Sequence, residues 1–232
     1  KKVFRAKDRA ELEEVLAAVY GSGYTDSMVI QDFIPGDDTY MRVLTNYSDR
    51  FGKVRLMCLG HVLLEEHTPH GIGNHAVILT EQNRELEETL RKLLDHLGYV
   101  GFSNFDIKYD RRDGTYRVFE INTRQGRSNY YVTAAGANLA QYLVEDWIYG
   151  HPIDFRSVDA ESLWMVVPKS VAFRYIRPTE YKEAMRRLLR EGKAVNPLLY
   201  KADQAPLRRL RLLRSLLGHH LKYRKYLKHE ES

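Results

Sequence analysis

Two periods of hydrophobic and polar positions run along this chain. Leu86, Leu90, Leu93, Leu94 and Leu97 recur at three- and four-residue spacing, which predicts an amphipathic helix over 80–98 with Gly98 as its stop. Leu12, Val15, Leu16 and Val19 give an earlier helix, capped by Asp8 and ended by Gly21 and Gly23. Period-two alternation marks 100–109 and 116–122 as strands, and Asp113-Gly114 between them is a hairpin turn signal. Shorter strands are expected at 1–5, 27–34, 40–47, 53–59, 61–66 and 76–79. Turns are expected at Pro35–Asp38, 49–52 and Gly60. Beyond Asn129 the pattern predicts a helix over 138–149, a strand over 163–174, a helix over 180–191 and a basic helix over 207–228. The expected class is α+β, an antiparallel sheet with packed helices and a basic helical C-terminal extension.

Composition narrows the picture. With 232 residues, 44% hydrophobic and 29% charged, the chain has enough apolar surface for a core and is not of disordered type. No apolar run approaches the roughly 20 residues that span a bilayer. A single cysteine, Cys58, cannot form an internal disulfide, which fits a reducing cytoplasm. The chain opens on Lys1 without an initiator Met, so it is expected to be part of a longer protein. The net charge of +5 is concentrated at the end: from Lys201 onward the charge is +6, and the rest is close to neutral. Neither a GxxxxGK[ST] loop nor a GxGxxG fingerprint occurs, which argues against two common nucleotide folds.

The most informative stretch joins the two hairpin strands. Residues two apart in a strand share a face, so Glu120 and Asn122 project together and Asp106 can sit across from them. Two carboxylates and an amide oxygen make a hard-oxygen set suited to Mg²⁺, which takes its other ligands from phosphate and water. Arg124 and Arg127 follow at once and can hold phosphate or carboxylate oxygens bidentately. A solvated hairpin with ordinary surface charges would show the same alternation, so the pattern by itself leaves both readings open.

Glu120-Ile-Asn122-Thr-Arg124 resembles the Glu-hydrophobic-Asn-Pro/Thr-Arg signature of the ATP-grasp superfamily, with Asp106 where that superfamily places its other metal carboxylate. The Asn122-x-Arg124-x-x-Arg127 spacing is similar to that of carbamoyl-phosphate synthase large chains. Val29-Ile-Gln-Asp-Phe-Ile-Pro-Gly-Asp-Asp38 resembles the superfamily's hinge, and Gln31–Asn46 is similar to a stretch of D-aspartate ligase-like carboxylate–amine ligases. The resemblance implies the C-terminal part of an ATP-grasp fold, with Mg²⁺ (or Mn²⁺) on Asp106, Glu120 and Asn122. It implies ATP contacts at Lys2, Gln31, Phe33, Ile34, Asp38 and Phe119, and catalytic roles for Arg124 and Arg127. The implied reaction passes the γ-phosphoryl group to a carboxylate, and an amine attacks the acyl phosphate; no side-chain nucleophile is needed. The alternatives are phosphorylation of bicarbonate or carbamate, or a non-catalytic nucleotide-binding module. Expected divisions are 1–34 (N-lobe remnant and hinge strand), 35–160 (C-lobe with the Mg-ATP site) and 161–232 (extension). By itself the chain is expected to turn over poorly, since a preceding domain of the same protein would complete the grip on the nucleotide.

Other features weigh less. His67, His70 and His75 lie in a Gly-containing stretch read as a mobile loop over the site rather than a zinc centre, because H-x₂-H-x₄-H fits no common zinc framework. Packing of the tail leucines on the main domain is preferred over peripheral membrane contact, and nucleic acid ranks below both. The expected partners are small-molecule carboxylate and amine substrates, with a homodimer left open.

Overall fold

The computed structural model describes residues 3–200, 202–203 and 205–227. The chain divides into two compact units, Lys1–Pro35 and Gly36–Ser232. In the first, helix α1 (Arg9–Gly21) starts where Asp8 accepts the Glu11 amide at 2.9 Å. Within the same unit the Arg5 guanidinium lies 3.9 Å from the Phe33 ring centre. The strands expected near 1–5 and over 27–34 are not formed by the described residues there. A strand is held by a neighbour's ladder, and an apolar run without one leaves its amides to water.

The second unit is built on one eight-stranded sheet: β1 (Met41–Ser48), β2 (Val54–Glu65), β3 (His75–Glu81), β4 (Gly101–Asp110), β5 (Thr115–Asn122), β6 (Arg156–Ser157), β7 (Leu163–Met165) and β8 (Ala194–Val195). The spatial order is β5-β4-β1-β2-β3-β7-β8, with β6 beside β2. Pairing is antiparallel except for the short β2–β6 and β7–β8 contacts, which are parallel. Thus β7 and β8, from the region beyond Ser162, extend the same sheet.

Alternation gives the sheet two covered faces. Leu44, Met57, Leu59, Phe105 and Ile107 meet Leu86, Leu90 and Leu94 of α2 (Arg84–Leu97), whose end is closed by Gly98 at φ +59. Thr80 and Glu81 finish β3 instead of opening this helix, which starts at the Asn83 cap. The opposite face, with Val43, Tyr47, Cys58, Val62 and Ile78, is covered by α3 (Tyr130–Ala134), α4 (Leu139–Val144), α5 (Lys169–Tyr175) and α6 (Thr179–Arg190). Helix α7 (Pro206–Tyr226) adds Tyr223 to this core.

Two further expectations change. Gly60 is not a turn: β2 runs straight through it, and a Cβ there would stand 2.6 Å from Ile78 Cγ2 and 3.2 Å from the Tyr131 ring. The glycine serves close packing of α3 on the sheet. The strand expected over 163–174 stops at Met165; Pro168 then opens α5, where Val171 and Ala172 are buried. Proline suits a helix start because no donor is needed there, and burial overrides the β-preference of Val171. The helix over 138–149 is α4 followed by one π turn, Glu145–Tyr149.

Candidate active site

The sheet face opposite α2 carries the acidic set. β4 pairs with β5 so that Asp106 faces Glu120 and Asn104 faces Asn122; a bulge follows, leaving Phe119 as the extra residue of β5. Phe105 and Ile107 point into the α2 core, so Asn104 and Asp106 point the other way. Asn122 Nδ2 donates to Asp106 Oδ2 at 3.0 Å, and Arg124 donates to Asn122 Oδ1 at 3.1 Å. Asp106, Glu120, Asn122 and Arg124 are therefore one connected group.

Two carboxylates side by side on a partly buried face repel. Burial, and then the charge of Glu120, push the Asp106 carboxyl up to about 6, while Asn122 and Arg124 pull it back. A divalent cation would relieve that repulsion, so this donor set fits one. The Asn122 amide oxygen is turned toward Arg124, and it reaches a shared cation only if the amide reorients.

Behind the pair, Asn104 anchors the following loop. Its amide donates to the Arg124 carbonyl at 2.5 Å and its oxygen accepts from Thr45 Oγ1 at 2.7 Å. A Cβ on Gly126 would stand 2.8 Å from Asn129 Oδ1, so only glycine lets the loop lie this close. The loop then delivers Arg127 to Glu66, 2.7 Å away. Sequence reading passed over Asn104, Glu65 and Glu66; the signal for Asn104 was its place two residues before Asp106 on the same face. Lys108 also lies on this face and donates to the Gly36 carbonyl at 2.8 Å.

The end of β2 forms the far rim. Asp38 Oδ2 accepts the Glu65 amide and meets His67 Nε2, each at 2.8 Å. Burial, reinforced by the charge of Asp38, pushes the Glu65 carboxyl up to about 8. His75 is buried on β3, near Ser128 Oγ and Glu65, and burial lowers it to about 4. His67 and His75 thus serve different partners, and no group of three or more His, Cys, Asp or Glu is arranged for a metal among the described residues. The 66–74 segment is a closed turn pinned by the Glu66 amide on the Asn74 carbonyl at 2.8 Å.

Of the other expected positions, Gln31, Phe33 and Ile34 belong to the first unit, Phe33 being 44% exposed. Phe119 is 38% exposed on the edge strand β5. Lys2 lies outside the described residues.

This architecture has counterparts. Residues 64–144 match the family model described as the carbamoyl-phosphate synthase L chain, ATP binding domain. Among solved structures, N5-carboxyaminoimidazole synthetase from Staphylococcus aureus, complexed with ADP, matches with a TM-score of 0.50 and 13% identity over 68% of this chain and 41% of that one. The biotin carboxylase domain of Hydrogenobacter thermophilus 2-oxoglutarate carboxylase, with MgADP, ADP and bicarbonate, gives a TM-score of 0.42 and 14% identity over 53% and 28%. The chain has the ATP-grasp fold. Along its sequence it is 40% identical over 232 residues to D-aspartate ligase from Enterococcus faecium (strain Aus0004), covering 97% of this chain and 55% of that protein. The chain thus spans about half the length of this relative. No helix among the described residues is long and apolar enough to cross a membrane.

Proposed function

We propose that the protein is an ATP-dependent carboxylate–amine ligase and that, as in its relative's name, D-aspartate is the acid activated. The observation that carries this reading is the Asp106–Glu120 pair, tied through Asn122 to Arg124, in a chain 40% identical to a D-aspartate ligase. Asp106 and Glu120 would hold Mg²⁺, or Mn²⁺ in its place, with Asn122 joining once its amide reorients; the ion supplies neutralisation of phosphate charge. The hinge residues Gln31, Phe33 and Ile34, with Phe119, are the proposed adenine contacts. Asp38, whose Oδ1 has no hydrogen bond among the described residues, is proposed for the ribose.

In the reaction, a carboxylate oxygen attacks the γ-phosphorus and the bond to the β–γ bridging oxygen breaks, giving ADP and an acyl phosphate. An amine nitrogen then attacks the acyl carbon, phosphate leaves, the nitrogen loses a proton and an amide forms. Arg124, fixed on Asn122, faces the phosphate side. Arg127 orients the acid and offers its guanidinium to charge that builds during transfer. A preceding domain of the same protein would complete the nucleotide grip, with 35–160 as the catalytic lobe and 161–232 as its extension. Homodimer formation and a cytoplasmic setting complete the proposal.

The basic outer face of α7 supports peripheral contact with an anionic lipid surface: Leu207, Leu210, Leu213, Leu217 and Leu221 are exposed and the helix holds no acidic residue. Co-sedimentation with phosphatidylglycerol vesicles, lost with phosphatidylcholine alone, tests this. The ligase reading is tested by ADP release from the full-length protein with D-aspartate and an amine donor present or absent. ADP release that responds to bicarbonate and ignores D-aspartate would replace this reading with the carbamoyl-phosphate-synthase-like one.

A further inference from the structure

We propose that the cavity at the end of β1, between the turn into β2 and the chain leaving the π turn, binds the phosphoryl group of a small phosphate ester between the guanidinium groups of Arg50 and Arg55. The site is separate from the acidic pair. Val43 of β1 lies opposite Asp106 and Ser48 opposite Gly101, so roughly 17 Å of strand divide the two.

The cavity has a volume of about 200 Å³, where a single water needs roughly 10–15 Å³. Two buried carboxylates brace it. Asp49 Oδ1 accepts the Phe51 and Lys53 amides, each at 2.9 Å, and its Oδ2 accepts from Arg55 Nε at 2.6 Å. Asp146 Oδ2 accepts the Tyr47 hydroxyl and the Arg50 amide, and its Oδ1 accepts from Arg50 Nε at 3.0 Å. Each arginine is thus fixed through Nε on a carboxylate that is already occupied. Both arginines line the cavity, and their Nη groups make no hydrogen bond among the described residues. Gly150, at φ +69, leaves room for the Arg50 tip, because a Cβ there would stand 3.1 Å from Nη2.

The free hydrogen-bonding capacity selects the ligand. Arginine nitrogens only donate, so the four Nη groups call for acceptors. The remaining titratable group of the lining, His151, is engaged through Nδ1 with Glu145 at 2.7 Å. A cation would find both carboxylates occupied and guanidinium charge beside them, whereas an oxyanion finds unpartnered N–H groups. One arginine fork satisfies the two oxygens of a carboxylate, and two forks in one cavity suit an anion with three or four oxygens. The rest of the wall is apolar: Phe51, Pro152 and Ile153 line it, and the Phe51 ring centre lies 5.5 Å from Arg50 Cζ. The carbon body of an ester has its place there, which free phosphate would leave empty.

Amide NMR of the full-length protein in EDTA, at constant ionic strength, tests this with inorganic phosphate, phenyl phosphate and benzoate. The amides of Phe51, Lys53, Gly150 and His151 should shift saturably with phenyl phosphate. Inorganic phosphate and benzoate should each bind about tenfold more weakly. Arg50→Lys and Arg55→Lys keep the charge beside each carboxylate but lose the fork, so each should weaken phenyl phosphate about tenfold, with Tm close to that of the wild type. The site is overturned if these amides show no saturable shift in the millimolar range, or if shifts are confined to amides around Glu120 and Asn122. Unchanged affinity in either lysine variant overturns it too. Benzoate or inorganic phosphate binding as tightly as phenyl phosphate overturns the assignment to a phosphate ester. That comparison needs the wild type alone, so it decides the matter even where a variant fails to fold.

Discussion

Replacing Glu120 by Gln removes one charge and keeps the shape of the side chain. In the free protein that charge is a burden, since it is among the causes raising the Asp106 carboxyl to about 6. Glu120→Gln without ligand should therefore be as stable as the wild type or slightly more so near neutral pH. With Mg-ATP the sign reverses. Losing one charged contact to the cation costs roughly 3 kcal/mol, or about a hundredfold in affinity. At a nucleotide concentration about a hundred times the wild-type Kd, ligand stabilisation is about 2.7 kcal/mol, and a hundredfold weaker site leaves about 0.4 kcal/mol. For a protein of this size, 1 kcal/mol moves Tm by about 2–4 °C, so the Mg-ATP shift should fall from about 5–10 °C to about 1 °C. Differential scanning calorimetry of both proteins at several Mg-ATP concentrations, with Mg²⁺-free controls, reads all of this. Equal ligand-induced shifts in wild type and Glu120→Gln would refute the placement of the cation on this strand pair, as would a ligand-free protein strongly destabilised by the change.

Arg127→Lys keeps the charge but not the fork, so kcat should drop about a hundredfold with nucleotide binding near normal, measured by ADP release beside nucleotide titration. His61 is buried, and desolvation and then Arg42 hold its ring down at about 4. The unfolded chain therefore binds more protons between about pH 4 and 6.5, and this stability is present above 6.5 and lost as pH falls toward 4. His61→Gln should flatten that part of a denaturant-midpoint profile. Asp146 is the buried residue of the π turn and accepts from the Tyr47 hydroxyl at 2.7 Å and the Arg50 amide at 2.9 Å. Asp146→Ala strands both donors and should cost about 3 kcal/mol by urea denaturation, with catalytic residues untouched.

The sequence alone determined those elements whose signal is local and repeated. The leucine stripe of α2 and its stop at Gly98 are set by helical period and by the left-handed backbone only glycine takes easily. The β4–β5 hairpin came from alternation and Asp113-Gly114, and the same period of two put Glu120 and Asn122 on one face because neighbouring strand residues cannot share one. Only the tertiary structure decided what depends on partners far along the chain. Gly60 reads as a turn until Ile78 and the Tyr131 ring are seen pressed against it. Val166-Val167 reads as strand until Pro168 and the burial of Val171 and Ala172 turn the chain that follows into a helix. Arg127 and Glu66 stand 61 residues apart, and Tyr223 meets Glu65 across 158. Local periodicity carries no information about such pairs, because it records which face a side chain takes and not what the folded chain brings to meet it.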